Sequence, residues 1–155
     1  MRFRELSVGK PRDAAVRELH SGYADRITRL QVAYESAWIA EVRAGGRFSD
    51  DHVREREARG LLERIGRGGG RIVALDAGGA MWTSTELAAR AERWSTPRCH
   101  LVIGGPLGLH RSLLDRADTV WSISRLTFPH EIVRVLVAEQ IYRAVTLLRG
   151  VPYHK

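Results

Sequence analysis

The turn Ile103-Gly104-Gly105-Pro106-Leu107-Gly108 follows an apolar, β-branched run and precedes a helical segment, so its glycines let the backbone bend sharply and approach a ligand closely. A second passage, Trp121-Ser122-Ile123-Ser124-Arg125-Leu126-Thr127-Phe128-Pro129-His130, leaves one expected strand and enters the last expected helix. Each has a plain structural reading. The first is then a ligand-free strand-to-helix turn, and the second a helix start with Pro129 in the first turn and Thr127 or Phe128 near the cap. The functional reading rests on their pairing: two loops at the carboxyl ends of neighbouring strands frame the crevice where open α/β sheets bind ligands. A third group lies on the last helix and tail, with His130, Arg134, Glu139, Tyr142 and Arg143 followed by Pro152-Tyr153-His154-Lys155. Glu139 and Arg143 stand at i,i+4, which a helix-surface ion pair explains without function. His130, at a helix N-terminus whose dipole opposes protonation, suits a neutral hydrogen-bonding group or a proton acceptor. An aromatic, an imidazole and a cation after the last helix are unusual at a chain end that would otherwise fray, and order there implies a task.

Other chemistries lack their residues. A dinucleotide-binding fingerprint belongs after the first strand with an acidic residue about 20 positions on, whereas here a lone Gly9 ends the first strand and the glycines follow the fourth. No P-loop, nucleophile triad or pair of metal carboxylates occurs. Cys99 is the one cysteine, so no internal disulfide or cysteine-based zinc site is available, and it reads as a small buried hydrophobe. The six histidines, at 20, 52, 100, 110, 130 and 154, form no metal-ligand spacing, so no metal is expected.

The elements that must position these groups alternate along the chain. Apolar runs predict strands over 2–8, 32–40, 71–76, 99–104 and 118–123, and helical patterns lie near 12–29, 50–66, 83–95, 109–116 and 130–148. That alternation places the chain in the α/β class, a parallel sheet with flanking helices. Val133, Val137, Ile141, Ala144 and Leu148 make the clearest helical stripe, either core or dimer interface. The tract Arg67-Gly-Gly-Gly-Arg71 resembles a joint, but the pieces beside it are too small to be comfortable domains, and one domain over 1–155 is expected. Trp38, Trp82, Trp94 and Trp121 are scattered and read as core or interface rather than as a stacking platform.

With 155 residues, 44% of them hydrophobic and 28% charged, the chain has the mix of a globular protein that buries a core. Its 25 basic residues exceed its 18 acidic ones for a net charge of +7, and 23 of the 25 are arginine. Arginine forks onto phosphate and stacks on bases, so a polyanionic partner is favoured over a generally basic surface, although the excess is spread along the chain and cannot separate RNA from DNA. The N-terminus has no apolar signal core and no stretch has the length of a membrane span, so a cytoplasmic protein without a membrane partner is expected.

The motifs Val8-Gly9-Lys10, Ile72-Val-Ala-Leu75-Asp76, Ile103-Gly-Gly-Pro-Leu-Gly-Leu109, Ser122-Ile-Ser124-Arg-Leu-Thr-Phe-Pro-His130, Glu139-Gln-Ile-Tyr-Arg-Ala144 and Pro152-Tyr-His154 stand in this order. On them the chain resembles the ribosomal large-subunit pseudouridine N3-methyltransferase family, a branch of the SPOUT methyltransferases. The resemblance spans nearly the whole length, with 11–70 matching only in length and pattern. It departs at Leu107, where a polar or small residue is common, at Arg125, which precedes Leu-Thr, and at Lys155, which stands in for a common terminal arginine.

The resemblance implies a C-terminal deep trefoil knot, which periodicity alone could never suggest because true knots are rare. It implies S-adenosylmethionine held by Leu75, Gly104 and Gly105 and by the loop Ser124, Arg125, Leu126, Thr127, Phe128 and Pro129, with Arg125 able to reach either cofactor or RNA. It also implies a homodimer in which the partner's tail completes each site. The implied substrate is a pseudouridine in the helix 69 stem-loop of 23S rRNA within the large subunit or assembled ribosome. Arg143 would stabilise charge on the base carbonyls, His154 or His130 would help remove the N3 proton, and Tyr153 would orient the base. Two alternatives stay open, a knotted methyltransferase acting on tRNA or a ribose hydroxyl, and a ribosome-binding or assembly factor that keeps the fold without methyl transfer.

Overall fold

The computed structural model describes residues 1–43, 48–66 and 69–154. Strand and helix alternate as β1 (Arg2–Val8), α1 (Ala14–Arg29), β2 (Ala33–Ile39), α2 (Asp50–Ile65), β3 (Arg71–Ala80), α3 (Ser84–Trp94), β4 (Cys99–Ile103), α4 (Arg111–Leu114), β5 (Thr119–Trp121) and α5 (His130–Leu148). All ten expected elements form. The strands make one sheet in the order β2-β1-β4-β3-β5, every pairing parallel, so all five carboxyl ends lie on one side. Every residue of the central β4 is buried, as a strand covered on both faces requires.

Helices cover the two faces unequally. On one, α5 packs against α1 and α3 over Phe3, Val73, Leu101, Val137, Ile141 and their neighbours. On the other, α2 and α4 close over a smaller cluster around Leu6, Leu61, Ala74, Val102 and Leu113. The α5 stripe is core at Val137, Ile141 and Ala144, but Leu148 is exposed. Cys99 is buried, and burial pushes its thiol pKa up, so it behaves as the small hydrophobe expected.

Several expectations need correction. β3 runs on to Ala80 instead of ending at 76: after Leu75 the register shifts, and Ala80 pairs with Trp121. Glycine permits this close crossing, because a Cβ at Gly79 would lie 2.6 Å from the Val120 carbonyl oxygen. β5 is correspondingly short, and α4 is a single turn. The α5 cap is Pro129 itself, with no side-chain hydrogen bond, so neither Thr127 nor Phe128 serves there. Thr83 and Glu86, by contrast, make a reciprocal capping box at α3. Trp82, Trp94 and Trp121 cluster, with ring centroids 5.6 and 6.3 Å from Trp82, whereas Trp38 stands 45% exposed on the edge strand and is not core. Of the glycine tract, Arg67 and Gly68 lie outside the described residues, and Gly69 and Gly70 lead into β3 with positive φ.

Charged groups are buried beneath this framework, Glu5 and Arg134 at the β1 strand among them. Glu5 accepts from Tyr34 Oη at 2.7 Å and meets His20 Nε2 at 2.8 Å. Arg134, only 3% exposed, donates to the carbonyls of Val8, at 2.8 Å, and Gly9. These bonds carry the first turns of α5 onto the carboxyl end of β1. Arg134→Leu keeps the apolar volume but orphans both carbonyls, and is expected to cost roughly 2–4 kcal/mol, read as a lower urea midpoint with unchanged slope.

Candidate active site

A cleft of about 330 Å³ opens where β3, β4 and β5 end. Leu75 and Asp76 form one wall, the turn 103–108 the floor, and the loop residues Ile123, Ser124, Leu126, Thr127 and Phe128 the opposite wall. His130 and Val133 close it from α5. The two loops singled out for their pairing therefore meet in one crevice, at the place where the ends of parallel strands leave room for a ligand.

The glycines of the floor are required first by the protein. A Cβ on Gly104 would lie 2.7 Å from the Gly108 backbone, and one on Gly105 would press on Val8 and on Glu57 Oε2, each at 3.1 Å. Gly108 has φ +80, which favours glycine whatever the space, and its N–H closes the turn on the Gly105 carbonyl at 2.9 Å. Glu57 was not foreseen as a neighbour of this turn. Burial raises its pKa, and it accepts from the Val42 N–H at 3.1 Å. Its sequence signal is one acid in the buried helical stripe Val53, Glu57, Leu61.

The opposite wall is an exposed loop pinned through its first residues. Ser124 Oγ accepts from the Leu126 N–H at 3.1 Å, and Ser122 Oγ donates to the Ser124 carbonyl at 2.8 Å. The Arg125 side chain reaches Ala77, donating to its carbonyl at 2.8 Å, and so straps the loop to the end of β3. Among the described residues no protein group accepts from the Thr127 or Phe128 N–H, which leaves backbone donors for a ligand. Pro129 does not line the cleft; it starts α5.

His130 sits between the cleft and the β1 end, its Nε2 3.9 Å from where a Gly9 Cβ would be. Burial, then the Arg134 charge, lowers its pKa and keeps it neutral near pH 7. Beside it Glu131 accepts from the Arg12 N–H at 3.0 Å and the Asp13 N–H at 3.3 Å, bonds that hold its carboxyl below the usual range.

The tail is ordered through Tyr153 and His154 and folds onto the far end of α5; Lys155 lies outside the described residues. Tyr153 donates from Oη to Glu139 Oε1 at 3.0 Å, stacks edge-on against Tyr142 at 4.7 Å, and lies under the Arg143 guanidinium. Arg143 donates from Nε to the same Glu139 oxygen at 3.0 Å, which raises its pKa, and its Nη1 is 3.5 Å from His154 Nδ1. The i,i+4 ion pair exists, and the tail is docked on it. Thirteen residues of helix separate His130 from Arg143, about 20 Å, so one protomer does not bring its cleft and its own tail cluster together.

The family model described as "Predicted SPOUT methyltransferase" matches residues 1–154. The chain is 40% identical over 157 aligned positions to the "Ribosomal RNA large subunit methyltransferase H" of Anaeromyxobacter sp., covering all of both chains. It is 39% identical to the protein of that name from Gloeobacter violaceus, covering 99% of each. Among solved structures, a methylase family protein from Haemophilus influenzae superposes with TM-score 0.52 at 10% identity, covering 99% of this chain and 70% of that one. A methyltransferase from Legionella pneumophila in complex with the bound cofactor SAM superposes with TM-score 0.51 at 10% identity, covering 93% and 66%. At that identity the superpositions speak for the fold.

NMR titration of the imidazole signals should place His130 below the ordinary histidine value of about 6.5. Because its folded pKa is depressed, the unfolded chain takes that proton first as pH falls. The contribution of this group to stability is therefore complete above the ordinary value and is lost as pH drops through the folded one.

Proposed function

We propose, for a chain that belongs to the SPOUT methyltransferase family and matches ribosomal RNA large subunit methyltransferase H proteins from end to end, that it uses S-adenosylmethionine to methylate 23S rRNA at N3 of a pseudouridine in the helix 69 stem-loop. The observation that carries this reading is the cleft at the ends of β3, β4 and β5, built by the residues whose motifs bear the resemblance. Its walls fit the cofactor. Leu75, Ile103, Ile123 and Leu126 offer apolar surface for an adenine, while free backbone N–H groups at Thr127 and Phe128 can read its edge. Gly104 and Gly105 bring bare backbone to the floor, and the Arg125 strap keeps the loop 124–129 against β3.

The bound cofactor supplies a methyl group on a sulfonium, an electrophile that needs no further activation. What remains for the protein is to hold the base in line and remove the N3 proton. Arg143, a permanent cation oriented by Glu139, is suited to stabilise negative charge on the two carbonyls that flank N3. Tyr153, fixed between Tyr142 and Arg143, is suited to orient the base. His154 or His130 takes the proton, the first standing beside Arg143 and the second, neutral, at the cleft wall.

The separation of cleft and tail along α5 is what a second copy resolves. α5 and its approach expose Leu126, at 71%, with Phe128, Ile132 and Leu148, apolar surface that suits an interface. In a homodimer packed there, the partner's Arg143, Tyr153 and His154 face the cleft of the first protomer. The trefoil knot implied for the C-terminal half suits the crowding at Gly79 and Gly104, where backbone passes too close for a Cβ.

Labelled methyl transfer to ribosomes from cells lacking this modification, followed by nucleoside analysis, should place label on pseudouridine N3. Label on another nucleoside would overturn the substrate, and no label under conditions where a known active relative works would overturn the activity. Gly104→Ala should abolish cofactor binding in calorimetry, because the added Cβ displaces the floor. Arg143→Ala should retain cofactor binding and lower turnover about 100-fold or more. Recognition of ribosome shape predicts that an isolated stem-loop is a far poorer substrate than intact ribosomes.

A further inference from the structure

Beside the cleft, on the same side of the sheet, a broad groove runs along the carboxyl ends of β1 and β2. Lys10, Arg12, Arg17 and Arg43 line it, with Glu41 as its one carboxylate. Glu41 pairs with Arg12 at 3.0 Å, but the Arg12 side chain is still 82% exposed. Arg17 donates to the carbonyls of Pro11 and Arg12, which shapes the loop and leaves its charge in place. The groove thus has four cations against one anion, with no carboxylate to neutralise Lys10 or Arg43 among its lining residues.

Trp38 stands at the rim. It lies next to last in the edge strand β2, opposite Ser7 of β1, and presents its indole to solvent, with Lys10 Nζ 5.9 Å from the ring centroid. A lone exposed aromatic is ordinary; an exposed indole with a cation beside it, at the edge of a basic groove, is the pairing with which proteins bind single-stranded nucleic acid. Every base has a face that stacks, and the phosphates on either side need positive partners within reach.

We propose that this groove binds single-stranded RNA adjoining the methylation target, Trp38 stacking an unpaired base while Lys10, Arg12 and Arg43 contact phosphates. The proposal rests on the rRNA methyltransferase reading above, and it is set by the geometry of the loop. Glu131 holds the Arg12 and Asp13 N–H groups, Arg134 holds the Val8 and Gly9 carbonyls, and His130 lines the cleft between them. The basic loop is therefore tied to the same first turns of α5 that wall the cleft. In the order β2-β1-β4-β3, three strand spacings or about 15 Å separate the rim from the cleft wall, so one short strand can occupy both.

The test measures binding of a fluorescent oligouridine to the full chain by anisotropy across a salt series, with S-adenosylmethionine binding measured on the same samples. Trp38→Ala should weaken RNA binding roughly 5- to 100-fold while Trp38→Phe stays within about 3-fold of the parent, both with unchanged cofactor affinity. Lys10→Ala with Arg43→Ala should flatten the dependence of log Kd on log salt by about 0.7 for each lost phosphate contact. Undiminished oligouridine binding by Trp38→Ala would overturn the proposal. So would an equal loss on heparin, a polyanion without bases, which would show that Trp38 merely shapes the charged loop. Failure of the parent chain to bind cofactor or transfer methyl would instead strike the enzyme reading, a separate readout from the comparison of variants.

Discussion

A guanidinium taken out of water needs hydrogen bonds inside, and Arg134 makes two from Nη2, to the carbonyls of Val8 and Gly9, where β1 ends. This contact fixes the start of α5 against the carboxyl side of the sheet. One residue to the N-terminal side of Ile132, Glu131 takes two N–H groups of the following loop, and His130 turns into the cleft wall. Three side chains on one and a half turns of helix thereby position the cleft wall and the basic loop together. The low pKa of His130 follows from the same packing, because burial and the Arg134 charge both oppose a proton there.

The turn 104–108 is constrained from beneath. Its glycines face neighbouring backbone, Val8 and Glu57, so their small size serves the crossing of the chain as much as any ligand above it. Tight backbone packing of this kind makes a rigid floor, and rigidity is what a methyl transfer needs when its main requirement is alignment. The exposed loop 124–129 is tied by Ser122, Ser124 and Arg125 into a shape that leaves the Thr127 and Phe128 N–H groups without an acceptor among the described residues.

The tail solves a different problem. Glu139 receives both Arg143 and Tyr153, and so holds a cation and an aromatic in one arrangement midway along α5, with Arg143 about 20 Å along the helix from His130 of the same protomer. A helix that is apolar toward α1 and α3 and still exposes Ile132, with Leu126 and Phe128 exposed on its approach, has surface left for a partner. The proposed dimer joins these two facts.

The class, the ten elements and the pairing of the two cleft loops were legible in the sequence, because periodicity and turn residues are local signals and strands of a parallel sheet end together. So was the family, whose motifs lie in one order along the chain. The reach of Arg125 to Ala77 was not, since both cofactor and RNA fitted its sequence setting. Nor was the cap of α5: Thr127 and Phe128 looked suitable, but the loop ahead of Pro129 belongs to the cleft wall. β3 ran past Asp76 because Gly79 lets β5 approach, an effect of a neighbour 41 residues away in the chain. Trp38 read as core or interface, and the core reading fails because being on an edge strand is a property of sheet order, and sheet order is set by long-range pairing. Sequence alone determined which residues had the chemistry for cofactor, base and phosphate; only the tertiary structure decided which of them share a place, because distances between elements depend on packing that no local pattern records.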